Sequence, residues 1–179
     1  MPRLILTAAL ALAIAVPAAA QLSQPGTNPQ IDYNGFVTLA QKLEPVRAAH
    51  RLPWQDFAKR ARAKNALLLD ARSERAFRQG HIKGAVNLPF TDFTDAALAE
   101  VIGKNPGRPI YIYCNNNFTD NAAPIATKRV DMALNIPTFV NLHGYGYTNV
   151  WELADLVSTK QLGADWVRGP GPAGALLAP

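Results

Sequence analysis

Two short apolar runs constrain the fold more than any other feature of this 179-residue chain. One is "ALLLD", residues 66–70, and the other is "PIYIYC", residues 109–114. Neither alternates polar with apolar residues, and both have strand length. Continuous runs of this kind suit parallel strands buried on both faces. Helical signals surround them. "PWQDFAKRARAK" opens with Pro53 in a first-turn position and continues as a short helix. "SERAFRQG" reads as a short helix stopped by Gly80, and "TDFTDAALAEVIGKN" as a Thr/Asp-capped helix closed at Gly103. "AVNLPF" is a strand ended by Pro89. Beyond Cys114, "DNAAPIATKRVDMALN" predicts a helix capped by Asp120 or Asn121, "TFVNL" a strand, and "YTNVWELADLV" a final helix. The alternation predicts an α/β fold, an open parallel sheet of about five strands with helices on both faces. Ligands of such sheets bind beyond the carboxyl ends of the strands. Cys114, the chain's one thiol, falls at that edge.

The ends of the chain carry different signals. "MPRLILTAALALAIAVPAAAQ" has Arg3, an apolar run from Leu4 to Val16, and small residues up to Ala20. Residues 1–20 read as a secretory signal peptide cleaved before Gln21. A membrane-spanning helix needs about 20 apolar residues, more than this run offers. The expected location is periplasmic or secreted, with no stable membrane insertion after cleavage. Residues 21–50 read as an N-terminal extension or linker, in which "FVTLAQKLEPVRAAHRL" has helical periodicity interrupted at Pro45. Residues 51–165 read as one domain and 166–179 as a disordered Pro/Gly tail. The charge balance is 18 basic against 13 acidic residues, net +5. The basic residues are scattered, which suits a solvated surface and no nucleic-acid partner. A single cysteine cannot form an internal disulfide. In an oxidising compartment such a thiol is either buried and inert or kept because it reacts.

"LLLDARSERAFRQGHIKGAVNLPFTDF" resembles the first signature of a rhodanese domain: Asp-x-Arg after a strand, then the run Gly80-His81-Ile82-Lys83-Gly84-Ala85-Val86-Asn87-Leu88-Pro89. "PIYIYC" resembles the strand that delivers the family's catalytic cysteine, and "FVNLHGYGYTNVWEL" its closing strand, Gly-rich turn and Trp-bearing helix. The resemblance spans roughly residues 53–155. It implies a rhodanese-like sheet and sulfur-transfer chemistry. Cys114 would take a sulfane sulfur from a donor, become a persulfide, and pass the sulfur to a thiol acceptor, small molecule or protein. A loop curled around the thiol would aim backbone N–H groups inward and lower its pKa.

The loop departs from the Cys-x-x-Gly-x-Arg type usual in active members. It runs Cys114-Asn115-Asn116-Asn117-Phe118-Thr119-Asp120, without the Gly and without the Arg, and the span after it looks a few residues long. Asn tolerates left-handed backbone. Three in a row could trace an anion nest, and their amides could donate to an anion in place of the missing cation. The substrate-binding loop is therefore expected over residues 115–120. His143 and Tyr145 are expected near the pocket, with Tyr145 and Tyr147 lining or covering its mouth. Asp70, Arg72 and His81 are expected to brace the turn structurally. Lys128 and Arg129 would lie two to three helical turns from the thiol, too far to replace the missing Arg. The histidines lack metal-ligand spacing with Cys114, so neither metal nor cofactor is expected. Two alternatives remain: a catalytically inactive binding or regulatory module on this fold, and a Cys-dependent phosphatase, disfavoured without a loop Arg.

Overall fold

A computed structural model describes residues 28–123 and 125–171. The signal segment and the end of the Pro/Gly tail lie outside the described residues. The chain divides into a short N-terminal unit, Met1–Asp32, and a main unit, Tyr33–Pro179.

In chain order, the main unit begins α1 (Tyr33–Ala49), β1 (Arg51–Leu52), α2 (Trp54–Ala61), β2 (Leu67–Asp70), α3 (Glu74–Gln79), β3 (His81–Ile82) and β4 (Val86–Asn87). It continues α4 (Asp95–Ile102), β5 (Ile110–Tyr113), α5 (Asn135–Gly144), β6 (Val150–Leu153), α6 (Thr159–Leu162) and β7 (Trp166–Val167). The two apolar runs become the neighbouring central strands β2 and β5. The main sheet has five strands in the order β1-β6-β5-β2-β4, each pair parallel. The expected open parallel sheet is what forms.

Side chains alternate across the sheet with period two, which divides the apolar runs between two cores. Leu67, Leu69, Ile110, Ile112 and Val150 face one side, against Leu43 of α1, Leu98 and Ile102 of α4, and Phe139 and Leu142 of α5. Leu68, Tyr111, Tyr113 and Leu153 face the other, against Phe57 of α2, Phe77 of α3 and Leu162 of α6. Helices thus cover both faces. Full burial of residues such as Phe57, Phe77 and Phe139 is worth about 1.5–3 kcal/mol each.

Past Cys114 the structure departs from the sequence expectations. Residues read as a helix after Asp120 are irregular, with one 3-10 turn at Val130–Met132. "TFVNL", read as a strand, lies inside α5, and the closing strand β6 lies inside the segment read as the final helix. Helix α5 contains Pro137, Thr138 and Val140, poor helix formers, but Pro is tolerated in a first turn. Burial of Phe139, Val140 and Leu142 overrides propensity. Helix α1 runs through Pro45 and buries Leu43 in the core. Trp166 and Val167, assigned from sequence to the disordered tail, pair antiparallel with Ile82 and His81.

Candidate active site

Strand β5 ends at Tyr113, so Cys114 is the first residue beyond the carboxyl edge of the sheet. Its backbone is extended, and the chain then tightens into a 3-10 turn over Asn115–Asn117. The thiol is 2% exposed. The backbone N–H groups of Asn116, Asn135 and Leu134 are near enough to favour negative charge on the sulfur. Asn135 opens α5 and Leu134 precedes it, so the positive end of that helix meets the sulfur. Burial pushes the Cys114 pKa up, the three N–H groups pull it down, and the charge of Glu152 adds to the rise. Burial prevails, and the thiol sits above its ordinary value. The lowered pKa expected from the sequence is therefore reversed. A thiolate needs a nearby charge or solvent, and the neutral donors here replace only part of the lost hydration.

The asparagines do not form an open cradle. Among the described residues no non-glycine has a positive φ, so the turn is not a left-handed nest. Each amide is tied to the protein, through the oxygen and one N–H at Asn115 and Asn116 and through the oxygen and both N–H groups at Asn117. Asn115 accepts from Arg72 Nη1 at 2.7 Å and donates to the Ala126 carbonyl at 2.9 Å. Asn116 donates to the Lys128 carbonyl at 2.8 Å and accepts from the Lys128 N–H at 3.0 Å. Asn117 accepts from the Cys114 N–H and from Asn135 Nδ2, both at 3.0 Å, and donates to the carbonyls of Leu153 and Asp155. These bonds fasten the loop down.

Above the thiol lies a pocket of about 350 Å³. Ala71, Arg72, Ser73 and Ala76 form one wall, and Pro89, Phe90 and Thr91 another. Cys114, Asn115 and Asn116, together with Ala126, Lys128 and Leu134, complete the lining. Arg72 is 4% exposed and Asp70 fully buried. The guanidinium grips the Asp70 carboxylate through Nε at 2.9 Å and Nη2 at 2.5 Å, and donates to the Gly80 carbonyl at 2.8 Å. Tyr113 donates to Asp70 at 2.7 Å, and Asn87 Nδ2 holds the Asp70 and Arg72 carbonyls. Burial works against the Arg72 charge, but Asp70 and Tyr113 outweigh it and raise its pKa above the ordinary value. Arg72 thus ties Asp70, Gly80 and Asn115 together and also lines the pocket.

The model of the rhodanese-like domain matches residues 54–155, more than half of the chain. The chain belongs to the rhodanese-like family. Among solved structures, this rhodanese-like chain is similar to the Alr3790 protein from Anabaena sp., at 21% identity and a TM-score of 0.47, over 66% of this chain and 80% of that one. It is also similar to a thiosulfate sulfurtransferase from Pseudomonas aeruginosa, at 26% identity and a TM-score of 0.45. That match covers 66% of this chain but only 20% of the Pseudomonas chain. A polysulfide-sulfur transferase homodimer from Wolinella succinogenes matches at 14% identity and a TM-score of 0.39, over 70% and 82% of the two chains. No curated protein sequence matches it.

Several expected site residues of the rhodanese-like domain lie elsewhere. Residues 139–143 are helical, so the Gly-rich turn after them precedes β6 and falls at the amino edge of the sheet. His143 is in the last turn of α5, bonded to the Phe139 carbonyl at 2.9 Å, and burial lowers its pKa. Tyr145 donates to the Phe93 carbonyl and Tyr147 to that of Gly103. None of the three lines the thiol pocket. His81 is buried, stacked on Phe77 at 3.7 Å, with its pKa lowered by burial; it is structural. Phe118 is core, edge-on to Tyr113 and Trp166. Thr119 and Asp120 hold the loop exit: Asp120 accepts from the Thr119, Ser158 and Thr159 hydroxyls and the Thr159 N–H. The Thr159 hydroxyl leads the bonds that keep its carboxyl below the usual range.

Other site residues were missed. Lys128, placed from sequence on a distant helix face, lines the pocket because its segment is irregular and Asn116 clamps it. Phe90 and Leu134 join it. Beneath the thiol, Arg47 of α1 grips Glu152 of β6 at 2.6 and 2.7 Å, and Asn135 Nδ2 also donates to Glu152. No local pattern marks these residues; pairings between residues 105 positions apart leave no periodicity.

Proposed function

We propose that this rhodanese-like protein is an exported sulfurtransferase that carries sulfane sulfur as a persulfide on Cys114. The observation that carries the reading is Cys114 lining a pocket just beyond the carboxyl end of β5, beside the start of α5, with nearby backbone N–H groups that favour its thiolate. Those donors stabilise negative charge on the sulfur, on the thiolate before transfer and on the persulfide after it. In the first step the thiol proton leaves to water and the thiolate attacks the terminal sulfur of the donor. The Sγ–S bond forms, the donor's bond to that sulfur breaks, and its electron pair departs with the leaving group. In the second step an acceptor thiolate attacks the outer sulfur and Cys114 thiolate is released. The acceptor is a thiol, small molecule or protein.

Intact-mass measurement after incubation with thiosulfate and other sulfane donors tests this. The expected result is a gain of one sulfur, absent in Cys114→Ser. The near-complete burial of the thiol favours a second reading, a binding module with an inert cysteine. No gain of sulfur together with resistance to alkylation selects that reading.

A further inference from the structure

We infer that the Cys114 pocket selects an organic sulfane donor, an anionic terminal sulfur on an apolar substituent (R–SO2–S⁻ or R–S–S⁻), with Lys128 receiving the charge. This rests on the sulfurtransferase reading and narrows its substrate.

The space comes first. A pocket of about 350 Å³ falls within the roughly 300–1,000 Å³ typical of sites for small organic ligands. Inorganic thiosulfate leaves much of that volume to water. The walls come next. Ala71, Ala76, Pro89, Phe90 and Leu134 present an apolar surface beside the thiol. A small dianion with oxygens on every side sets charge against that surface, which is costly. A donor with one charged end and an apolar body does not.

The polar inventory agrees. Asn117 spends both amide N–H groups on the protein, and Asn115 and Asn116 each spend the oxygen and one of two N–H groups, leaving only one neutral donor apiece. Arg72 spends four of its five N–H groups on Asp70, Gly80 and Asn115. Lys128 differs. Its main chain is held in both directions by Asn116, and the residue is exposed and lines the pocket. Among the described residues no carboxylate pairs with its ammonium, whereas neighbouring Arg129 is paired with Asp131. One free cation beside an apolar wall matches one anionic end beside an apolar group.

With R–SO2–S⁻ the step balances simply. The Cys114 thiolate attacks the terminal sulfur, the Sγ–S bond forms, and the S–SO2R bond breaks with its pair leaving as the sulfinate R–SO2⁻. The two negative charges present before the step are present after it, one on the persulfide and one on the sulfinate. With R–S–S⁻ the leaving group is the thiolate R–S⁻.

The test measures loading of Cys114 by intact mass against concentration, in the full chain, for benzenethiosulfonate, benzyl hydropersulfide and thiosulfate. Either organic donor is expected to half-load Cys114 at a concentration about tenfold below thiosulfate, and the lower of the two identifies the leaving group. Lys128→Ala should raise the half-loading concentration of all three anions about five- to tenfold, with Lys128→Arg restoring it. Phe90→Ala should raise it for the organic donors alone, and unchanged thiosulfate loading reports that its pocket is intact. If thiosulfate loads the wild-type chain as readily as both organic donors, the inference falls and the sulfurtransferase reading stands. If no donor loads Cys114 while its thiol still alkylates, both fall.

Discussion

Replacing Arg47 with Met should destabilise the protein by about 2–3 kcal/mol, although Arg47 lies outside the segment that matches the family. The magnitude follows from its partner. Glu152 sits on β6, beside the strand that delivers Cys114, with a side chain only 4% exposed. Arg47 meets it with two bonds, Nε to Oε2 at 2.7 Å and Nη2 to Oε1 at 2.6 Å. Breaking a buried pair costs roughly 3–5 kcal/mol because the surviving charge is stranded. Arg47 is 28% exposed, so water reaches its side of the pair and the cost falls to or just below the lower figure. Glu152→Gln strands only the better-solvated partner and should cost about 1–2 kcal/mol. The double variant should cost less than the two single changes together, with a coupling of about 1.5 kcal/mol. Urea unfolding with unchanged m-values measures all three. A loss under about 0.5 kcal/mol for Arg47→Met, or strict additivity, would show that the pair behaves as an exposed one and refute the reasoning. Glu152→Gln carries a second readout. The Glu152 charge helps push the Cys114 pKa up, so its removal should speed alkylation at fixed pH.

Other outcomes follow from the same geometry. Asn117→Ala leaves the Cys114 N–H and the Leu153 carbonyl without side-chain partners, and should cost about 2–4 kcal/mol in urea unfolding. Because burial raises the Cys114 pKa, the thiol is protonated at neutral pH; its alkylation rate should still be climbing at pH 9.0, the ordinary thiol value, and a plateau near pH 7 would contradict this. A Cβ added at Gly80 would lie 2.5 Å from Trp166 Cζ2. Gly80→Ala should therefore displace the indole, shift tryptophan emission and cost about 1–3 kcal/mol.

The central strands were legible because burial on both faces writes itself as a continuous apolar run, and "LLLD" and "IYIY" are little else. The short helix α3 was legible from its stop at Gly80, and α4 from its Thr94 cap, whose side chain accepts a backbone N–H. The chain after Cys114 was not legible, for two opposed reasons. "ATKRVDMALN" is rich in helix formers but has no core to lie against: Val130 is 87% and Met132 60% exposed. A helix there would bury little, and tertiary packing is what stabilises short helices. "NIPTFVNLHG" is poor in helix formers but buries Phe139, Val140 and Leu142, and packing decides. Misplacing α5 moved His143 and Tyr145 to the wrong end of the sheet and hid Lys128. The thiol was legible by its position after a strand. Its surroundings depended on side-chain-to-backbone bonds across 11 to 38 positions, which no local window contains.

The grip of Asn116 on residue 128 involves only main-chain atoms of that residue, one N–H and one carbonyl. Asn115 likewise holds a carbonyl at Ala126. A mount of this kind does not depend on which side chain it carries. Residue 128 can become Glu, Met or Trp while the loop stays anchored, so the character of the pocket mouth is uncoupled from the attachment of its rim. The thiol chemistry and the charge of what reaches it are thereby separable variables: one is set by β5 and the start of α5, the other by a single exchangeable side chain. Recoding position 128 alone should retune ligand charge preference in either direction, at no cost to the fold beyond the roughly ±0.5 kcal/mol of an ordinary surface substitution.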